Sequence, residues 1–322
     1  MSSEWIIRST PPINLSEAPT RIDTIFFVSR HTNGDIYPTI PFINDICNKL
    51  DSTINIQYAI HDVFIDNFSR AFVPRLKLHS NIPSEFNHQS NIYITHKKST
   101  LYVNTWYETT DYFKSTKLSD LVNSPYGYYD MFKKLYTIFN IKLEPLEFYI
   151  PTFLWNKDLP YLDERNMFFE QIYSTKILFC NGISNSKGKQ FPDNTSDTIL
   201  QSLLDSGYFV ICTHPDLIQD IHLKNFYFST IKKYKHSDII LSRSYWYENE
   251  IHATKCDIVI GSVSGLFLSL MTPYTVDKLF ILCSNHGKYY THEKFNLKYV
   301  LDYTEKDIKT RIMDEINYSK GN

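Results

Sequence analysis

The sequence predicts an α/β protein of two Rossmann-like domains, each with a parallel sheet, the two sheets facing a central cleft. Three observations lead there. The length of 322 residues is about twice that of an average domain. Short apolar runs alternate with helix-patterned segments through both halves, the rhythm of parallel strands covered by helices. Midway the rhythm breaks, where Pro145, Pro151 and Pro160 fall in a stretch of mixed charge and aromatic character. Residues 1–150 are therefore expected to form an N-terminal domain. Residues 151–322 are expected to form a C-terminal domain with a terminal helix positioned to cross back.

Taken in order, the first strand is Thr24–Ser29, an unbroken apolar run of the kind buried on both faces of a parallel sheet. A loop over His31–Asp35 leads to a helix over 39–50, where Ile40, Ile43, Ile46, Cys47 and Leu50 recur at helical spacing. Strands follow at 54–60, 92–95 and 101–105, then a tyrosine-rich helix over 119–139 and a linker over 143–165. The second half restarts with a strand at 176–181 and a helix at 195–204, which Gly207 would end. Further strands are expected at 208–213, 239–241, 257–261 and 278–283, with a helix at 265–271. The tail, 305–318, reads as an amphipathic helix with Ile308, Ile312 and Ile316 four apart.

Composition narrows the function classes. An apolar fraction of 43% argues against disorder. With 33 basic and 35 acidic side chains the net charge is −2, which gives no general attraction to nucleic acid. The basic run Lys232–His236 reads as a solvated face. Five cysteines, mostly inside apolar runs, fit buried reduced thiols and a cytoplasmic protein better than a disulfide framework. The 19 residues from Ile258 to Val276 carry no charge, but their serines, threonines, glycines and Pro273 fit a strand, turn and helix better than a membrane span. No transmembrane segment is expected, and peripheral contact with a membrane stays open.

Several chemistries drop out. Glycine occurs nine times without a GxGxxG or a GxxxxGK[ST] pattern, so fingerprint dinucleotide binding and P-loop chemistry are disfavoured. CxxC, HExxH and Asp-x-Asp are all missing, so no metal site is expected. In Gly261–Gly265 the position a nucleophile elbow needs for serine holds Val263, against a serine hydrolase.

Three loops at expected strand ends carry informative residues, and open parallel sheets bind ligands at their carboxyl edges. In the first, Gly34 turns the chain and Asp35 stands where a carboxylate can take a proton from a substrate hydroxyl. From spacing alone, an N-cap for the next helix is the stronger reading of Asp35. In the second, Ser184–Pro192, lysines including Lys189 suit a diphosphate, although a solvated loop explains the composition as well. In the third, Ser262, Ser264 and Gly265 run a strand into a helix and would offer hydroxyls and amides to an anion. The competing explanation there is a tight turn that merely needs glycine.

The order of these segments resembles the heptosyltransferase-like glycosyltransferases of family 9, which have the GT-B fold. Gly34-Asp35-x-x-x-Thr39-x-Pro41 is similar to the family's amino-terminal motif, and Lys189-Gln190-Phe191-Pro192 to its Lys-x-Trp-Pro segment. Cys256–Gly261 followed by Ser264-Gly265-Leu266 is similar to its late donor-binding turn. The resemblance implies metal-independent, inverting sugar transfer from a nucleotide sugar to a hydroxyl of a glycan or glycolipid. It implies Asp35 as base, Lys189 on the donor diphosphate, and Ser264 and Gly265 at the donor phosphates, with Ser262 and Gly34 counted among the donor-binding residues. No cofactor is implied beyond the nucleotide-sugar substrate. The N-terminal domain would serve the acceptor and the C-terminal domain the donor. Val263 and Leu268 depart from the family's aspartate and histidine. Two rivals follow: a non-catalytic binding protein on the same fold, and a sugar-nucleotide epimerase with His214 as a second acid/base.

Overall fold

The structure of the chain, a computed structural model, describes residues 21–30, 33–83, 94–97, 99–105, 125–153, 162–182, 191, 195–241, 246–284, 294–304 and 306–320. It divides into two compact units, Met1–Trp155 with Tyr289–His292, and Asn156–Lys288 with Glu293–Asn322.

In the first unit, strand β1 (Thr24–Val28) leads through the single turn α1 (Asn33–Ile36) and a 3-10 turn over Tyr37–Thr39 into helix α2 (Ile40–Lys49). Strand β2 (Asn55–Ala59), helix α3 (Asp62–Phe68), strands β3 (Lys77–His79), β4 (Ile94–Lys97) and β5 (Thr100–Asn104), and helix α4 (Pro125–Ile138) follow. The sheet order is β3-β2-β1-β5-β4. All pairs are parallel except β4 with β5, which are antiparallel. That one edge departs from the parallel pattern for a steric reason: two residues separate the strands, enough for a hairpin and far too few for a crossover.

β1, β2 and β5 each alternate between half-exposed and buried over their first four residues and end on a further buried residue, Val28, Ala59 and Asn104. The apolar run of β1 therefore buries one face along its whole length, through Ile25 and Phe27, and the other only at its carboxyl end, at Val28. The Phe27 face meets the helices: Phe27 lies 6.3 Å from Phe132 of α4, and Phe42 of α2 stacks at 4.6 Å on Phe132 and 4.3 Å on Tyr149. Arg75 donates to the carbonyls of Cys47 (2.5 Å), Leu50 (2.7 Å) and Ile54 (3.0 Å), covering the carboxyl end of α2 with a cation, as its dipole favours.

The second unit begins with α5 (Leu162–Glu170), which takes over the last residues of the segment expected to be a linker and buries Arg165, Phe168 and Phe169. It continues with β6 (Lys176–Cys180), α6 (Thr195–Asp205), β7 (Phe209–Cys212), α7 (Ile221–Ile231), α8 (Ser237–Leu241), α9 (Trp246–Lys255), β8 (Ile258–Ser262), α10 (Gly265–Ser269), β9 (Leu279–Ser284), β10 (Asn296–Leu301) and α11 (Ile308–Lys320). The sheet is parallel throughout, in the order β10-β9-β8-β6-β7. β7, β8 and β9 are buried at every residue. Residues 239–241, expected as strand, belong to helix α8; three apolar residues in a row do not by themselves distinguish the two states. The uncharged stretch from Ile258 resolves into β8 and α10, and no helix among the described residues is long and apolar enough to cross a membrane.

α6 ends as its sequence predicts. The amide of Gly207 bonds the carbonyl of Leu204 (3.0 Å) and that of Tyr208 the carbonyl of Leu203 (3.2 Å), the Schellman pattern. All five cysteines are free and buried, and burial pushes the Cys47 thiol up to about 12.

The terminal helix packs within its own unit, against β9, β10 and α6. Ile308, Ile312 and Ile316 are 0%, 1% and 0% exposed, so the stripe is consumed by this contact. Ile312→Ala should therefore cost about 2 kcal/mol of stability. Urea denaturation of the variant measures this, and an unchanged midpoint would mean the helix is not part of the cooperative core.

Candidate functional site

Each sheet has one place where the chain leaves a central strand toward one side and returns on the other, and parallel sheets bind ligands beyond the carboxyl ends of such strands. In the first unit this is β1, between β2 and β5; in the second it is β6, between β7 and β8. The loops leaving β1, β6 and β8 are those the sequence singled out.

At the end of β1 the backbone is locked before the loop begins. The Ser29 amide bonds the Ala59 carbonyl at 2.9 Å, and the Thr105 amide bonds that of Val28 at 2.9 Å. Asp35 is the third residue of α1 and half-buried. The N-cap of α2 is Thr39, which makes no side-chain capping bond, so Asp35 does not cap that helix. Thr39 Oγ1 instead donates to the Ile36 carbonyl at 2.7 Å, and Pro41 sits in the first turn of α2, where its missing N–H costs nothing. Thr39 and Pro41 thus shape the turn that holds Asp35. Tyr128 Oη donates to the Asp35 carbonyl at 3.2 Å, tying α4 to the same turn.

Below Asp35 lies a buried hydroxyl network the sequence did not reveal. Tyr58 Oη is 2.9 Å from Thr105 Oγ1 and 3.4 Å from Thr39 Oγ1. Burial, with a smaller contribution from the negative charge of Asp35, pushes the Tyr58 phenol up to about 12. It therefore stays protonated at neutral pH and faces Asp35 as a neutral group. Arg30, next in the chain after Ser29, donates through Nη2 to the Pro83 carbonyl at 3.0 Å, while its buried Nε has no hydrogen-bond partner.

At the end of β8, glycine at 261 is a packing requirement: a β-carbon there would meet Cys180 Cβ at 2.7 Å and a Phe267 ring carbon at 2.8 Å. Gly261 is thus required by packing within β8 and not by a turn. That packing does not account for Ser262, whose hydroxyl is buried and has no hydrogen-bond partner; a buried unpaired hydroxyl is costly unless something meets it. Ser264 is the N-cap of α10, accepting from the Phe267 amide at 3.1 Å. Its hydroxyl is occupied, and the first amides of the turn, Gly265 and Leu266, are those a helix leaves without an internal partner. Val263 is buried, and Leu268 is half-buried.

Lys189 and the loop over 183–190 lie outside the described residues. Phe191, the next described residue, is buried 5.8 Å from Phe179 and 6.4 Å from Tyr303. His214, named above only for the epimerase alternative, stands beside Gly182, where Asn181 and Thr213, which the sequence did not single out, hold it. No cluster of His, Cys, Asp and Glu suited to a metal ion occurs among the described residues.

No family model matches the sequence, and no curated protein does. Among solved structures, the chain is similar to ADP-heptose LPS heptosyltransferase II of E. coli, at 13% identity over 92% of this chain and 98% of that one, with a TM-score of 0.43. It is also similar to E. coli heptosyltransferase WaaC with ADP, at 9% identity over 91% and 98%, with a TM-score of 0.48. A glycosyl transferase family 9 protein of Veillonella parvula matches at 11% identity over 92% and 90%, with a TM-score of 0.42. Scores this low leave the functional reading to the chain's own residues.

Proposed function

We propose that this chain is a GT-B glycosyltransferase that moves a sugar from a nucleotide sugar to a hydroxyl of a glycan or glycolipid. The observation that carries the reading is positional: Asp35 and the Ser262–Gly265 turn stand at the carboxyl edge of their own sheets, beside the central strand in each case. The motif resemblance requires them there.

In this mechanism Asp35 accepts the proton of the acceptor hydroxyl as that oxygen bonds the anomeric carbon of the donor. The bond from that carbon to the diphosphate breaks on the opposite face, its electron pair leaves with the phosphate oxygen, and the configuration inverts. Lys189, with the Ser262 hydroxyl and the Gly265 amide, stabilises the charge that grows on the leaving nucleoside diphosphate, the role a metal fills elsewhere. The N-terminal domain would serve the acceptor and the C-terminal domain the donor. Buried free thiols suit work in the cytoplasm, and a glycolipid acceptor would bring the protein to a membrane surface.

A second reading, a non-catalytic binding protein, is favoured by one observation: Val263 is a buried apolar residue where the family has aspartate. A thermal-shift series with ADP, UDP, GDP and CDP and their sugar conjugates, without metal, separates the two. A ligand bound by the folded state alone raises the melting temperature by mass action. The glycosyltransferase reading expects a shift with one nucleotide that is reduced in Lys189→Ala. No shift with any nucleotide would leave the binding-protein reading.

A further inference from the structure

The outward face of α7 and the turn after it combine exposed apolar side chains with a run of lysines. We propose that this face seats on an anionic phospholipid bilayer, its apolar side chains entering the interface and its lysines meeting the headgroups. Such a contact needs neither donor nor acceptor, and so stands or falls apart from the glycosyltransferase reading.

α7 covers the open edge of its sheet. β7 is the outermost strand, and its Cys212 amide, which points away from β6, donates to Tyr227 Oη at 2.9 Å. Leu223, Tyr227 and Ile231 form the buried side of the helix. The opposite side is not simply polar: Ile221 is 59% exposed and Phe226 50%. Helical spacing carries that side into the basic run, since Lys232 lies about three turns after Ile221 and Lys233 about two after Phe226. From Ile221 to Ser237 the chain carries four lysines and no acidic residue. Lys224 is engaged with the Asp216 carbonyl at 2.8 Å. Lys232, Lys233 and Lys235 are exposed and make no ion pair among the described residues. The acids that bound the segment are Asp220, whose carboxylate accepts from the His222 and Leu223 amides as the N-cap of α7, and the exposed Asp238.

The lysine turn is held against α5. The Lys235 amide donates to Gln171 Oε1 at 3.1 Å, and the Tyr234 ring lies 5.9 Å from Phe168 and 5.1 Å from Phe209. That brings Tyr173, two residues beyond Gln171 and 98% exposed, to the lysine end of the face, where Glu170 is the one exposed acid of α5 near it.

The helix dipole accounts for a cation at the last turn of α7, but not for Ile221, Phe226 and Tyr173 in water. Single exposed apolar residues are ordinary; several on one face with a cationic run mark a surface that something covers. A nucleic acid would meet the lysines but offers no place for Ile221, and a net charge of −2 supplies no wider attraction to it. A bilayer interface takes both kinds of side chain: aliphatic and aromatic groups enter the headgroup boundary, and lysines reach the anionic headgroups.

The test is co-sedimentation of the full chain with vesicles of phosphatidylcholine alone and of phosphatidylcholine mixed with phosphatidylglycerol, at low and high salt. The unaltered chain should bind the mixed vesicles at low salt, and high salt or omission of phosphatidylglycerol should release it. Lys232→Gln, Lys233→Gln and Lys235→Gln combined should weaken binding roughly a hundredfold, about fivefold for each lysine at an anionic surface. Ile221→Ser with Phe226→Ser should weaken it roughly tenfold and leave the melting temperature nearly unchanged, because both side chains are exposed. Lys142→Gln, at an exposed lysine of the other unit, should bind as the unaltered chain does. Failure of the unaltered chain to bind mixed vesicles would overturn the assignment, as would full binding by the lysine variant. Binding that survives Ile221→Ser with Phe226→Ser would overturn it too, leaving only charge adsorption. A dimer in solution that this same pair of substitutions dissolves would give the face to a second copy, and binding of an RNA oligonucleotide but of no vesicle would give the lysines to nucleic acid.

Discussion

Asp35→Ala should lower kcat by roughly 10²- to 10⁴-fold, the usual contribution of a positioned general base, while leaving affinity for the nucleotide donor nearly unchanged. Asp35 lies in the first unit, and the donor-binding residues proposed here lie in the second. The turn around Asp35 is held by bonds that its side chain does not make: Thr39 to the Ile36 carbonyl, and Tyr128 to the carbonyl of Asp35 itself. Truncating the carboxylate should therefore remove the base and spare the turn. Asp35→Asn sharpens the test, because it keeps the shape and loses the proton acceptor. Product formation with saturating donor reads the chemistry, and a nucleotide titration of the same preparations reads binding. Turnover retained in either variant would exclude Asp35 as the base. Loss of donor binding without a defect in turnover would place it on the wrong substrate.

The fold was legible where hydropathy and structure coincide. β6 to β9 are apolar in sequence and buried in fact, and the glycine, aspartate and serine of the two matching turns stand at strand ends as their spacing implied. It was not legible where burial and polarity part company. α9 buries Asn249, Glu250 and His252, so its inward face does not read as apolar. α7 exposes Ile221 and Phe226 while burying Leu223, Tyr227 and Ile231, which blurs any single stripe. β10 buries only Val300, as an edge strand can. The site was half visible for a related reason. Asp35 and Ser262 belong to local motifs, whereas Asn181 meets His214 only because β6 and β7 are neighbours in the sheet, 33 residues apart in sequence. Tyr58, Thr39 and Thr105 likewise converge only in the folded unit.

Acid should destabilise this protein by a route that passes through α9. His252 is fully buried, its Nε2 lies 3.4 Å from Arg165 Nη1, and the Arg165 guanidinium is itself buried and donates to Glu248 at 2.7 Å. Protonating the ring would set a second cation against that arginine with no water to screen them. Burial first, and Arg165 second, hold the ring at about 3, far below the ordinary histidine value. In the unfolded chain the same ring takes up its proton near pH 6.5. Above that pH the ring is neutral in both states and contributes nothing to pH dependence. Below it only the unfolded chain binds the proton, so stability falls by about 1.4 kcal/mol per pH unit until the folded value is reached. The loss from this residue alone amounts to about 4 kcal/mol by pH 3.5. Urea unfolding at pH 7, 5 and 3.5 should show the wild type losing stability more steeply than His252→Leu, whose side chain cannot titrate. Comparing slopes cancels whatever the substitution costs at pH 7 and whatever other groups titrate in both proteins. Parallel losses in the two would mean that the folded chain accommodates the proton, through water or a movement of Arg165, and that the acid sensitivity lies elsewhere.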